Sequence, residues 1–234
     1  MPAYNAALTL EKTYYALPTG SYDQIILVDD ASSDNTLEVA SKLNILTIRH
    51  RKNRGYGGNQ KTCYTKAIEQ GAEIVVMLHP DYQYDPTIVT DIVQPLLEGE
   101  ADVVLASRML GRPLRGGMPL YKFIANKFLT NLENMILRTR FSEFHTGYRA
   151  YSRKALESVN FESNSENFVF DNEILVQFVL KGMRFKEIPV STRYSFDSSS
   201  VSFRAGVVYG LSILLTMAKY LLFKWGLVRF KQFN

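Results

Sequence analysis

The sequence predicts an α/β protein with a mostly parallel, doubly wound sheet flanked by helices. Three observations carry this expectation. Gln24–Val28, Glu73–Leu78 and Asp102–Ala106 contain aliphatic, largely β-branched runs, as strands buried on both faces do. Helical runs separate them, the alternation that parallel strands joined by crossovers require. Two of the strands end in acids, and open α/β sheets bind ligands beyond the carboxyl ends of their strands.

Each element follows in order. Only Met1 stands before Pro2-Ala3-Tyr4-Asn5, where the family resemblance carried by the motifs below implies a full apolar strand. The sequence therefore reads as having its first strand truncated, as from a trimmed gene model. Loss of that strand is expected to leave ladder groups on its neighbours unpaired. Gln24–Val28 is the next strand. Ser33, Asp34 or Asn35 can cap the helix Asp34–Leu43 that follows. Ile45–Ile48 reads as a strand, Gly58–Gln70 as a helix, Glu73–Leu78 as a strand, Pro86–Glu98 as a helix and Asp102–Ala106 as a strand. A helix is expected from about Pro119 to Leu137, a strand around Tyr148–Tyr151, a helix over Phe170–Lys181 and a strand over Arg184–Tyr194. Ser195–Ser202 is polar and serine-rich, a candidate mobile lid.

The C-terminal segment has a different character. Ala205–Ala218 carries no charge and Tyr220–Phe223 stays apolar, with Lys219, Lys224, Trp225, Arg229 and Lys231 around them. The charge-free run is shorter than the ~20 residues that span a bilayer. Apolar residues edged by Trp and Lys suit a helix lying in the membrane interface, with a core helix or a dimer contact as the alternative. The expected organisation is one large α/β domain over 1–203 and an amphipathic, membrane-interfacial helix over 204–234.

Composition narrows the class. A chain of 234 residues with 46% hydrophobic content can build one large domain. Cys63 is the one cysteine, so no internal disulfide is available; its place on the apolar side of a helix makes it a core residue, and such usage suits a reducing compartment. No signal-peptide pattern is expected at the start. The net charge of +4 is mild and its basic residues are scattered, which argues against nucleic-acid binding.

Candidate chemistry lies at the two acidic edges. Asp29-Asp30 ends one strand, where a carboxylate can accept hydrogen bonds from a base or a ribose; a solvated turn with capping acids is the plain alternative. His79-Pro80-Asp81-Tyr82-Gln83 ends another. In an extended segment His79, Asp81 and Gln83 would point the same way, and all three side chains can ligate Mg²⁺ or Mn²⁺. Pro80 and Pro86 stiffen this stretch.

Motifs in order carry a resemblance. Pro2-Ala3-Tyr4-Asn5, Val28-Asp29-Asp30-Ala31-Ser32-Ser33-Asp34, Asn53-Arg54-Gly55-Tyr56-Gly57-Gly58-Asn59 and the Asp81 segment come first. Ala106-Ser107-Arg108, Arg115-Gly116-Gly117, His145-Thr146-Gly147-Tyr148-Arg149-Ala150-Tyr151 and Asp171-Asn172-Glu173 follow. Together they resemble the family 2 glycosyltransferases of the GT-A fold, closest to the branch of dolichyl-phosphate mannosyltransferase and bacterial polyprenyl-phosphate sugar transferases.

The resemblance implies an inverting, metal-dependent transferase with a nucleotide-sugar donor and a polyprenyl-phosphate or related lipid acceptor, peripheral on the cytoplasmic membrane face. A membrane-protein partner or a homo-oligomer stays open. Transfer to a hydroxyl of a glycan or glycolipid is the alternative enzyme, and an inactive nucleotide-sugar-binding homologue a further one. Pro2 and Tyr4 are implied to flank the base, with Val28 and Asp30 at the nucleoside and Pro80, Arg108 and Arg193 on the donor side. Asp81, Gln83 and His79 are implied to hold a divalent cation, Mn or Mg, so that Asp81 is essential to catalysis. His79 departs from the family's acid and Ala6 from its frequent Glu. Asp171 is the implied base or, read as a helix start, an N-cap. Arg115 is a further phosphate candidate, Glu173 is equally a structural one, and Glu143 and His145 either line the acceptor channel or support the strand.

Overall fold

The computed structural model describes residues 1–192 and 203–233. In chain order its elements are β1 (Pro2–Ala3), α1 (Leu10–Tyr15), β2 (Ile26–Asp29), α2 (Thr36–Ser41), β3 (Leu46–Arg49), α3 (Gly55–Glu69), β4 (Ile74–Met77) and α4 (Val89–Leu97). β5 (Val103–Ser107), α5 (Leu120–Leu137), β6 (Arg149–Ser152), α6 (Arg153–Glu157), α7 (Phe170–Leu180), β7 (Phe185–Pro189) and α8 (Phe203–Lys224) complete it. Arg193 and the serine-rich 195–202 stretch lie outside the described residues.

The strands form a parallel three-stranded sheet, β1-β2-β3, and a four-stranded sheet, β4-β6-β5-β7. In the second sheet β6 runs antiparallel to both β4 and β5, and β5 runs parallel to β7. β1 is two residues long but satisfies its side of β2: Val28 donates to Met1 O and Asp30 to Ala3 O, and the Met1 ammonium reaches Ile26 O at 2.7 Å. β4 has β6 as its one ladder partner among the described residues. The expected unpaired edge therefore falls on β4 and not on β2.

The predicted helices and strands recur with shifted ends, and α1 and α6 are additions. α1 buries only Leu10 and Thr13, too short a pattern to read; α6 is five residues capped by the Ser152 hydroxyl. α3 begins at Gly55, ahead of the expected Gly58, because the Asp30 carboxylate accepts from the backbone N–H groups of Arg54 and Gly55. β7 stops at Pro189, short of Tyr194, since its partner β5 ends at Ser107 in the ladder. Beyond it Gly111 abuts the Val190 carbonyl so closely that a Cβ there would clash at 1.8 Å.

The main core joins α3, β4, β5, β6 and α7 through Tyr64, Met77, Leu105, Tyr151, Ile174 and Phe178, and Cys63 lies within it. Ile213, Met217 and Tyr220 of α8 belong to the same core. The outer face of α8 is apolar and exposed at Val207, Val208, Leu211, Leu214 and Leu215. α5 packs beside it and exposes Leu120, Tyr121, Ile124, Phe128 and Met135. By length and composition alone the 21 residues Arg204–Lys224 are enough to cross a membrane, a longer apolar helix than the charge-free run suggested.

Candidate active site

The β2 edge is not a solvated turn, because both of its acids are buried. Asp30 Oδ1 lies 2.6 Å from His50 Nδ1 and accepts from Arg54 N at 2.8 Å, while Oδ2 accepts from Gly55 N at 3.0 Å. Asp30 thus fastens the start of α3 to β2. Asp29 Oδ2 accepts from Ser32 N at 3.2 Å, and Asp29 Oδ1 is buried with no hydrogen-bond partner. The acid with a free acceptor at this edge is Asp29. Val28 is in the core and Pro2 is buried in β1, whereas Tyr4 is 57% exposed.

At the β4 edge the chain turns and does not stay extended. Tyr82 adopts a left-handed φ of 55°, and Asp81 Oδ1 accepts from Gln83 N at 3.1 Å. This Asp-centred turn breaks the alternation expected to align His79, Asp81 and Gln83. Pro80 is buried beneath it. His79 stacks on Tyr56 at 5.3 Å between ring centroids, and its Nε2 lies 3.1 Å from the Tyr56 hydroxyl. Burial pushes the His79 imidazole down against the opposing pull of Asp81 and Asp171, which favours the neutral, ligand-competent form at neutral pH.

Tyr56 connects this edge to α7. Its hydroxyl donates to Asp171 Oδ2 at 2.6 Å, and the Gln60 amide donates to Asp171 Oδ1 at 2.9 Å. Arg149 Nη1 sits 3.6 Å from the same carboxylate and donates to the Asp171 carbonyl at 2.7 Å. The Arg149 Nε and Nη2 groups hold the Thr146 and Phe144 carbonyls. Asp171 does not cap its helix: Val169 occupies that position and no side chain caps it. Glu173 accepts from Ser165 N, a structural contact.

The β5 edge supplies Arg108. Its guanidinium and backbone N–H are held by the fully buried Glu143 carboxylate, and Nη2 also donates to His145 O at 2.7 Å. Burial alone would raise Glu143; the Arg108 charge and hydrogen bonds, together with the Asn126 hydrogen bond, outweigh it and keep the acid below its ordinary range. Glu143 and His145 are interior groups beside the cleft. Arg115 is exposed on the loop after Arg108.

The structure therefore brings His79 and Asp171 together, with Arg149 beside them. Tyr56, Gln60 and Arg149 were not predicted. Arg149 left a signal, since a cation inside the buried run Tyr148–Tyr151 must have partners. Among the described residues no three His, Cys, Asp or Glu side chains cluster as a closed metal cage. A half-buried imidazole at His79, held toward its neutral form, with the oxygen donors Asp81 and Gln83 nearby still fits a cation completed by substrate phosphates.

Comparison with known proteins identifies the family and the fold. The family model described as glycosyl transferase family 2 matches residues 1–159. A protein of Methanocaldococcus jannaschii, MJ1222, is 29% identical over 217 residues, covering 93% of this chain and 88% of that protein. The UDP-N-acetylglucosamine--dolichyl-phosphate N-acetylglucosaminyltransferase of Methanococcus voltae is 28% identical over 212 residues, covering 83% of this chain and 84% of the relative. Among solved structures, glucosyl-3-phosphoglycerate synthase of Mycobacterium tuberculosis, in complex with Mn²⁺, UDP and glucosyl-3-phosphoglycerate, superposes with a TM-score of 0.71 at 18% identity. That match covers 94% of this chain and 77% of the synthase, and it establishes a shared GT-A fold. With the family model matching residues 1–159, most of its length, the chain belongs to glycosyl transferase family 2 and is a glycosyltransferase.

Proposed function

We propose that the chain transfers a sugar, with inversion, from a nucleoside-diphosphate sugar to a polyprenyl phosphate at a membrane surface. An acceptor phosphate oxygen attacks the anomeric carbon from the face opposite the diphosphate; the C1–O bond to the diphosphate breaks, and the nucleoside diphosphate leaves. The observation that carries this reading is the state of Asp171. Each of its oxygens already accepts a protein hydrogen bond, and Arg149 stands beside it. Such a carboxylate is poorly arranged to take a proton from a hydroxyl. An ionised phosphate needs no such base.

Two further observations support the reading. The relative from Methanococcus voltae is described as acting on dolichyl phosphate. The exposed apolar faces of α5 and α8 form adjoining stripes with Lys122, Lys127, Arg204 and Lys224 on the same helices, and the one acid on either helix, Glu133, is buried. That pattern suits an anionic lipid surface, with residues 204–234 docking peripherally and the cleft on the cytoplasmic side. On the donor side, Pro2, Tyr4, Val28, Asp30 and Pro80 surround the nucleoside end, with Asp30 acting by holding α3. Arg108 would hold the diphosphate, a role the family resemblance extends to Arg193. His79, Asp81 and Gln83 would hold Mn²⁺ or Mg²⁺, which offsets the charge of the leaving diphosphate.

The test is a panel of UDP- and GDP-sugars assayed with a short polyprenyl phosphate and Mn²⁺ or Mg²⁺. Product should form with one donor class and stop with Asp81→Asn, whose fold is retained. Transfer only to glycan hydroxyls, or near-normal rates in Asp81→Asn, would overturn the acceptor and cation assignments respectively.

A further inference from the structure

We propose that His145 is a positioning residue through which the seating of α8 sets both walls of the cleft. The proposal rests on the cleft being the donor site. His145 lies between α5 and β6 with its side chain 6% exposed. Its Nδ1 is 3.1 Å from the Tyr209 hydroxyl of α8, and the two rings meet edge to face. Its Nε2 is 3.1 Å from Glu133 Oε2 on α5, a close polar contact without hydrogen-bond alignment. Its carbonyl accepts from Arg108 Nη2 at 2.7 Å. Glu133 is fully buried and its other oxygen accepts from the Asn172 side chain, one residue from Asp171. A continuous polar chain thus runs from α8 to Arg108 on one wall and to the first turn of α7 on the other.

The geometry gives each ring nitrogen its own neighbour. A phenol is protonated at neutral pH, so Tyr209 can donate to Nδ1. The ring thus divides between the two helices, with the α8 hydroxyl at Nδ1 and the α5 carboxylate at Nε2. Packing alone does not call for this group: apolar side chains would hold α8 against α5 without the cost of burying a carboxylate and an imidazole. The imidazole is needed where one residue must touch α8 and α5 with its ring and Arg108 with its backbone.

The test compares the full chain with Tyr209→Phe and His145→Gln. Amide hydrogen exchange is followed over 142–147 and 168–174, and the affinity for UDP and GDP with Mn²⁺ is measured by calorimetry. Tyr209→Phe keeps the ring and removes only the hydroxyl, so it carries the test if His145→Gln does not fold. Expected are faster exchange in both segments and nucleotide binding weakened about five-fold, the size of one net hydrogen bond. Faster exchange confined to α8, with nucleotide affinity unchanged, would overturn the proposal. A wild-type chain that binds neither nucleotide defeats the donor-site reading instead, and the exchange data then decide the coupling by themselves.

Discussion

At Asp171 a hydroxyl, an amide and a guanidinium converge on one carboxylate that is 6% exposed. Asp171→Asn keeps the shape but sets an amide NH₂ against a donor and leaves the Arg149 charge less balanced. It should lower stability by about 1–3 kcal/mol, read from denaturant unfolding. Turnover per folded enzyme with polyprenyl phosphate should fall less than about ten-fold, whereas a true base would cost ~10²–10⁴-fold. A collapse in turnover at unchanged donor affinity would sink the phosphate-acceptor reading. The sequence marked Asp171 and His79 as candidates, since each ends or begins an element in a known motif. It did not mark Tyr56, which is separated from Asp171 by 115 residues and joins it only through the tertiary fold. The side-by-side reading of His79, Asp81 and Gln83 failed for a local reason, the left-handed Tyr82.

α8 has two faces with opposite sensitivities. Leu211→Asp with Leu215→Asp should leave the melting temperature nearly unchanged and abolish cosedimentation with phosphatidylglycerol vesicles. Met217→Asp, in the core, should destabilise by about 4 kcal/mol or more. Vesicle binding that survives the double substitution would remove α8 from the membrane surface. Because Ile213, Met217 and Tyr220 belong to the main core, deleting 209–234 would expose that core as well as remove an anchor. β5 and β7 are pinned at their start by Asp102, which accepts from Arg184 N at 3.0 Å and Nε at 2.9 Å. The Arg184 hydrogen bonds hold the Asp102 carboxyl below its ordinary range. A depressed carboxyl stabilises the fold above its unfolded value and loses that contribution as pH falls. The stability gap between wild type and Asp102→Asn should thus be present at pH 7 and close below about pH 4 in acid-unfolding curves. A pH-independent gap would mean that the ion pair contributes nothing. α5, α7 and most strands were legible because long periodic or unbroken apolar runs identify them; α1 and α6 are too short to carry a period.

On the scale of the whole molecule, α3 holds the three-stranded sheet to the rest. It packs on β1, β2 and α7, and its Asn59 side chain donates to Ala3 O and Val28 O at 3.3 and 3.0 Å. Asn59→Ala should cost about 1–3 kcal/mol and loosen β1 first, seen as faster amide exchange at Val28 and Asp30. Loss spread evenly over both sheets would show that the junction is not where Asn59 acts. The layered fold itself was readable from the alternation of strands and helices. The division into two sheets was not, because it depends on which strands meet, and no local pattern encodes that choice. Arg149 has the last consequence. By gripping the Phe144, Thr146 and Asp171 carbonyls at once, it makes one wall of the cleft behave as a riveted jaw. Any opening and closing for substrates must then come from elsewhere than this wall. Changes of sugar preference among relatives should accumulate away from it, where a new side chain can be tried without undoing the rivet.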